Sequence, residues 1–205
     1  MLDKMLELGM ERNSDVMELG CGIGIITSLL AKVVKEGRIR SMDISPKSVE
    51  IAKQNAPAEN IVFEVGDVAE LPIEDHRYDF VTLFDVLEHV PVKSHPALMK
   101  VIKEHLKPDG RLVINIPTAR ILRYLHEHTP EVLQIIDQPV ETSEIVANAE
   151  NAGLRMVAFE EYGIWREEET RFMVFEVNGE FTLREREAMK PSIKRRIQNK
   201  FEIYW

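Results

Sequence analysis

Glu18-Leu19-Gly20-Cys21-Gly22-Ile23-Gly24 sets three alternating glycines between a short apolar run, Val16 to Leu19, and a longer helical one, Ile25 to Glu36. Glycines at a strand-to-helix turn let backbone approach a nucleotide-like ligand closely. The acidic head of the turn narrows the chemistry, because Glu18 favours a cation and opposes a pyrophosphate. The expected ligand is S-adenosylmethionine, which carries an ammonium and a sulfonium. A dinucleotide would call for G-x-G-x-x-G, whereas here Ile25 and Ile26 follow Gly24.

Further groups with suitable chemistry stand at the ends of later apolar runs. Asp43 can accept both ribose hydroxyls, and Ile44 offers an apolar face to adenine. Gly66-Asp67-Val68 follows, where the Asp67 carboxylate can accept the adenine amine and the Val68 backbone can meet the ring. Phe84-Asp85 closes the set, with a backbone carbonyl for the methionine ammonium. For proton removal His89 is the first candidate, since an imidazole titrates near neutrality, and Glu88 is the second. Tyr124, His126 and His128 are candidates for a substrate pocket. Cys21 fits the turn as a small side chain. His89, His95 and His105 fall at spacings that suit no close ligand pair, so no metal site is expected.

These groups need a scaffold that delivers them to one rim. Strand-like runs at Val16–Leu19, Arg38–Met42, Ile61–Val65, Asp79–Phe84 and Arg111–Ile116 alternate with helical stripes. That pattern predicts a mostly parallel sheet covered on both faces, with ligands beyond the carboxyl ends of its strands. The first stripe runs from Ile25 with Gly37 as its stop, and Ser45-Pro46 caps the next. Leu98, Val101, Ile102 and Leu106 form a third, and Thr142 or Ser143 caps a helix that ends at Gly153. Arg155–Tyr162 and Arg171–Val177 are joined too closely for a helical crossover, so they must be antiparallel.

With Glu18–Gly24, Met42-Asp43-Ile44-Ser45, Gly66-Asp67, Asp85-Val86-Leu87-Glu88-His89-Val90 and Leu106-Lys107-Pro108-Asp109-Gly110 in place, the chain resembles the class I S-adenosylmethionine-dependent methyltransferases. Within them it is similar to the group related to ubiquinone and menaquinone biosynthesis, over roughly Val16 to Val177. The resemblance implies an α/β, doubly wound Rossmann-like sheet of order 3-2-1-4-5-7-6 with an antiparallel strand 7. It also implies in-line methyl transfer to a small organic acceptor, with oxygen, nitrogen and carbon all open as the acceptor atom. Transfer to RNA or protein, and a cofactor-binding scaffold without turnover, are the alternatives.

Composition bounds the rest. The 205 residues, 44% of them hydrophobic, suit one domain with a full core, and no apolar stretch approaches the roughly 20 residues of a membrane span. One cysteine and no secretion-like N-terminus predict a cytoplasmic protein. A net charge of −9 argues against a broad nucleic-acid face. Residues 1–178 are expected to form the cofactor-binding domain, and 179–205 a basic helical tail packed on that domain, on a second copy in a homodimer, or on an acidic partner. The sheet has little cover before its first strand, so cover is expected from Thr118–Gln138, from the C-terminal tail or from another subunit; Leu122, Leu125, Leu133 and Ile136 make the first of these an apolar lid candidate.

Overall fold

The structure is a computed structural model and describes residues 1–163 and 168–179. Seven strands form one sheet: β1 (Val16–Leu19), β2 (Ile39–Asp43), β3 (Ile61–Val65), β4 (Tyr78–Phe84), β5 (Leu106–Pro117), β6 (Leu154–Tyr162) and β7 (Thr170–Val177). Their order is β3-β2-β1-β4-β5-β7-β6. Only β7 runs against its neighbours, antiparallel to both β5 and β6. The order is the one the family resemblance implies, and the reversed strand is the one expected from the short connection before it.

Helices α1 (Leu2–Glu7), α2 (Ile25–Val33), α3 (Pro46–Asn55), α4 (His95–His105), α5 (Ala119–His128) and α6 (Thr142–Asn151) connect and cover the strands. Successive side chains on a strand point to opposite faces, so a strand buried on both sides is apolar except where a polar side chain is hydrogen-bonded, as Glu18 of β1 is to Thr27 and Ser41. On β1, Met17 and Leu19 join a core with Leu98 and Ile102 of α4 and Ile145 of α6. Val16 joins a second core with Met5 of α1 and Leu30 of α2. Among the described residues no helix is long and apolar enough to cross a membrane.

Three local expectations need correction. Helix α2 ends at Val33, well before Gly37, and the amides of Lys35, Glu36 and Gly37 all donate to the Arg12 carbonyl. Gly37 serves a chain crossing instead, since a Cβ there would stand 2.0 Å from the Ser14 carbonyl oxygen. Leu106 begins β5 rather than ending α4, pairing with Tyr78 before a register shift that brings Arg111 opposite Phe80. The cap of α6 is Glu141, in a reciprocal capping box with Glu144. Thr142 instead accepts a 2.7 Å hydrogen bond from Arg171. The basic tail from residue 180 onward lies outside the described residues.

Candidate functional site

The carboxyl ends of β1, β2, β3 and β4 open on one cavity of about 640 Å³. Glu18, Gly20, Cys21 and Gly22 line it from the first turn, Asp43 and Ile44 from the second, Asp67 and Val68 from the third, and Phe84, Asp85 and His89 from the fourth. Gly24 and Gly66 are not among the residues that line it. Gly24, at φ +80, lets α2 press on α3, because a Cβ there would fall 2.8 Å from the Ala52 Cα. At Gly20 a Cβ would meet Val86 at 2.2 Å, whereas at Gly22, φ +51, it would meet no atom within 4 Å. The first and last glycines thus serve chain packing, and the middle one keeps the cavity wall low.

Polar groups on this wall are held in place before any ligand arrives. Asp43 Oδ2 accepts from the Gly22 amide at 2.8 Å and Oδ1 from the Ser45 amide at 2.9 Å. The Glu18 carboxylate, 3% exposed, accepts from the Thr27 hydroxyl at 2.5 Å and the Ser41 hydroxyl at 2.7 Å. Burial pushes the Glu18 carboxyl up, the two hydroxyls oppose that, and the Asp43 charge adds to it. Burial likewise pushes the Cys21 thiol up to about 12, with Glu18 and Asp43 reinforcing it. The thiol stays protonated at neutral pH and is a poor nucleophile. Beside these groups Ile44, Ile25 and Ile23 leave 67%, 56% and 45% of their surfaces exposed. Isoleucines left open in a cavity suit a flat apolar ring.

At the β4 end the backbone is strained. Asp85 adopts φ +54, a left-handed conformation uncommon outside glycine. Its amide donates to the Asn115 carbonyl at 2.7 Å, and the buried Asn115 side chain accepts from the Tyr162 hydroxyl at 2.7 Å. The single 3₁₀ turn Leu87–His89 follows. His95, fully buried on α4, holds it from below, with Nε2 donating to the Leu87 and Val90 carbonyls at 3.1 and 2.9 Å.

His89 lines the cavity, and Glu88 lies behind it at 1% exposure. Burial pushes the Glu88 carboxyl up to about 8, the charges of Asp85 and Asp137 add to that, and Arg171 opposes it. The stretch Gln134–Gln138 closes over His89 from the expected lid, and its Gln134 and Ile136 also line the cavity. The Gln138 amide donates to the Glu88 carbonyl at 3.0 Å, and its side chain to the Val90 carbonyl at 2.9 Å. Gln134 and Asp137 escaped the sequence reading because an irregular segment has no periodicity that singles out a polar residue.

Tyr124, His126 and His128 sit on α5, outside the cavity lining. His128 stacks on Tyr124 with ring centroids 4.2 Å apart, its Nδ1 2.9 Å from the Tyr124 carbonyl. His126 Nε2 lies 2.6 Å from the Asp137 carbonyl, which ties α5 to the Gln134–Gln138 stretch.

Comparison with known proteins agrees with this geometry. Residues 16–110 match the family model for a methyltransferase domain. Over 127 residues the chain is 32% identical to the demethylmenaquinone methyltransferase of Staphylococcus aureus, covering 60% of this chain and 52% of that protein. The chain thus spans about half the length of the curated relatives it matches. Among solved structures, the magnesium protoporphyrin IX methyltransferase of Synechocystis, with S-adenosylhomocysteine bound, superposes at a TM-score of 0.68 with 21% identity, over 85% of this chain and 78% of that one. A Pyrococcus horikoshii protein superposes at 0.70 with 22% identity, over 86% and 87%. At such identities the likeness shows the fold. The methyltransferase-domain match over residues 16–110, the sheet order 3-2-1-4-5-7-6 and the cavity at the expected strand ends make the chain similar to the class I S-adenosylmethionine-dependent methyltransferases.

Proposed function

We propose that this protein transfers the methyl group of S-adenosylmethionine to a small organic acceptor. One observation carries the reading: a carboxylate fixed by two backbone amides, Asp43, shares a cavity with the open faces of Ile23, Ile25 and Ile44. A nucleoside needs both, hydrogen-bond acceptors for its ribose and an apolar wall for its base. In this reading Asp43 holds the ribose hydroxyls, Ile44 and Val68 flank adenine, and Asp67 meets its amine. Gly22 leaves room for the backbone to approach, and Glu18 provides negative charge for the methionine end.

When bound, S-adenosylmethionine supplies an already activated methyl group for in-line displacement. The chain's task is then alignment and exclusion of water, which can account for much of the acceleration. His89 at the rim takes the acceptor's proton where there is one to lose. The neighbouring lid residues Gln134 and Ile136 support a small acceptor entering beside His89. The single cysteine, a buried thiol, suits a reducing cytoplasm.

Calorimetry with S-adenosylmethionine and S-adenosylhomocysteine tests the reading directly. Binding of both is expected, and Asp43→Ala should weaken it by about 1–3 kcal/mol through unpaired ribose hydroxyls. Absence of heat and of any thermal shift at saturating ligand would refute it.

A further inference from the structure

We propose that Gln134–Gln138 is the acceptor-recognition element of the site: Gln134 stands where a protic acceptor (an alcohol, a phenol or an amine) hydrogen-bonds His89, and Asp137 positions the imidazole. The inference rests on the methyl-transfer reading and names the acceptor class for it.

Both nitrogens of His89 are held by this one stretch. Nδ1 lies 2.5 Å from the Ile136 carbonyl oxygen, which can only accept, so Nδ1 carries the proton. Nε2 then presents its lone pair, and the Gln134 side-chain amide nitrogen, which can only donate, stands 3.3 Å from it. Asp137 supports the protonated side, with Oδ1 3.5 Å from Nδ1, while its Oδ2 accepts from the Gln134 backbone amide at 2.7 Å. The carboxyls facing the ring are therefore Asp137 from the lid, Glu88 from its own turn with Oε1 3.9 Å from Nε2, and Asp85 at the end of β4.

The contact from Gln134 is the longer of the two hydrogen bonds on the ring, and Gln134 is solvent-exposed, so it is the one an incoming molecule displaces. Its replacement must donate to Nε2 as the amide does. An O–H or N–H meets that demand, and a carbon acceptor or an ether does not. In the step that follows, the acceptor lone pair forms a bond to the methyl carbon as the carbon–sulfur bond breaks. That bond's electron pair stays on sulfur, and the acceptor proton moves to His89 Nε2, to be released later to water. Asp137 stabilises the imidazolium at this moment through Nδ1–H.

Nitrogen-15 NMR of histidine-labelled full-length protein, saturated with S-adenosylhomocysteine, tests this apart from turnover. The His89 signals, identified by their loss in His89→Gln, should report a protonated Nδ1 and an unprotonated Nε2. Phenol should move the Nε2 signal, and anisole, which lacks the O–H, should not. In Gln134→Ala the phenol midpoint should fall about fivefold, because a competing hydrogen bond is gone. Asp137→Asn keeps an acceptor for the Gln134 amide and removes the charge; it should mix the two tautomers while homocysteine-product affinity stays within about twofold. A protonated Nε2 in the wild type, equal responses to phenol and anisole, or an unchanged phenol midpoint in Gln134→Ala would overturn the proposal. If S-adenosylhomocysteine binds but phenol leaves His89 unmoved, the acceptor assignment alone fails. If S-adenosylhomocysteine does not bind, the methyl-transfer reading falls and this inference with it.

Discussion

Gly20, Gly22 and Gly24 look equivalent in the chain, yet three different surroundings give them three different tasks. Alanine at Gly22 places a left-handed side chain in open space, with a backbone cost of about 1–2 kcal/mol. Its expected signature is a modest loss of thermal stability together with a large loss of S-adenosylhomocysteine binding. Alanine at Gly20 drives a Cβ to 2.2 Å from a Val86 methyl, and at Gly24 to 2.8 Å from the Ala52 backbone. Both should lower the melting temperature far more than Gly22→Ala does. Equal destabilisation by all three, read by thermal unfolding, would contradict the division of tasks.

The turn Leu87–His89 is short, and what surrounds it keeps it in shape. His95 Nδ1 is buried without a hydrogen-bond partner, so a second proton there is disfavoured, and burial holds the His95 pKa below the ordinary 6.5, its carbonyl partners opposing the shift. Its stabilising contribution is therefore complete above pH 6.5 and is lost as pH falls below that value. Glu88 behaves oppositely, with a folded value near 8 against an ordinary 4.5. The folded state binds its proton more tightly, so stability from this group is full below 4.5 and declines as pH rises toward 8, by up to about 1.4 kcal/mol per pH unit. Urea unfolding between pH 5 and 9 should show Glu88→Gln flattening the alkaline decline and His95→Gln flattening the acid one. An unchanged slope in either variant would remove that group from the account.

Across the whole molecule, the antiparallel end of the sheet is tied to the site through Arg171 of β7. Its side chain is 2% exposed and donates to the Thr142 hydroxyl and the Val140 carbonyl, at the start of α6 and just beyond the lid. Arg171→Ala leaves the buried Val140 carbonyl and the part-buried Thr142 hydroxyl without this donor, at an expected loss of roughly 1–3 kcal/mol of stability. Hydrogen exchange should quicken first at Val140–Ile145 and only later in β1 and β4. Uniform acceleration through the sheet would mean that Arg171 supports the core generally and has no special hold on the lid.

Much of this architecture was legible in the chain because it depends on local patterns. Val16–Leu19 and Ile61–Val65 are apolar runs too short for helices, the alternating glycines mark a strand-to-helix turn, and Asp43 and Asp85 could be placed on the cavity wall because strand ends are where a parallel sheet presents its groups. Other features depend on atoms far apart in sequence. Gly37 reads as a helix stop until Ser14 is seen against it, Thr142 reads as a cap until Arg171 claims its hydroxyl, and Tyr124, His126 and His128 read as pocket residues until α5 turns them elsewhere. The residues on both sides of His89, Gln134 and Asp137, lie more than forty positions away in an irregular stretch. Periodicity and turn chemistry determined the elements and the rim on which they end. Only the folded chain decided which lid residues reach the imidazole, since such contacts arise from packing between segments and leave no repeat in the sequence.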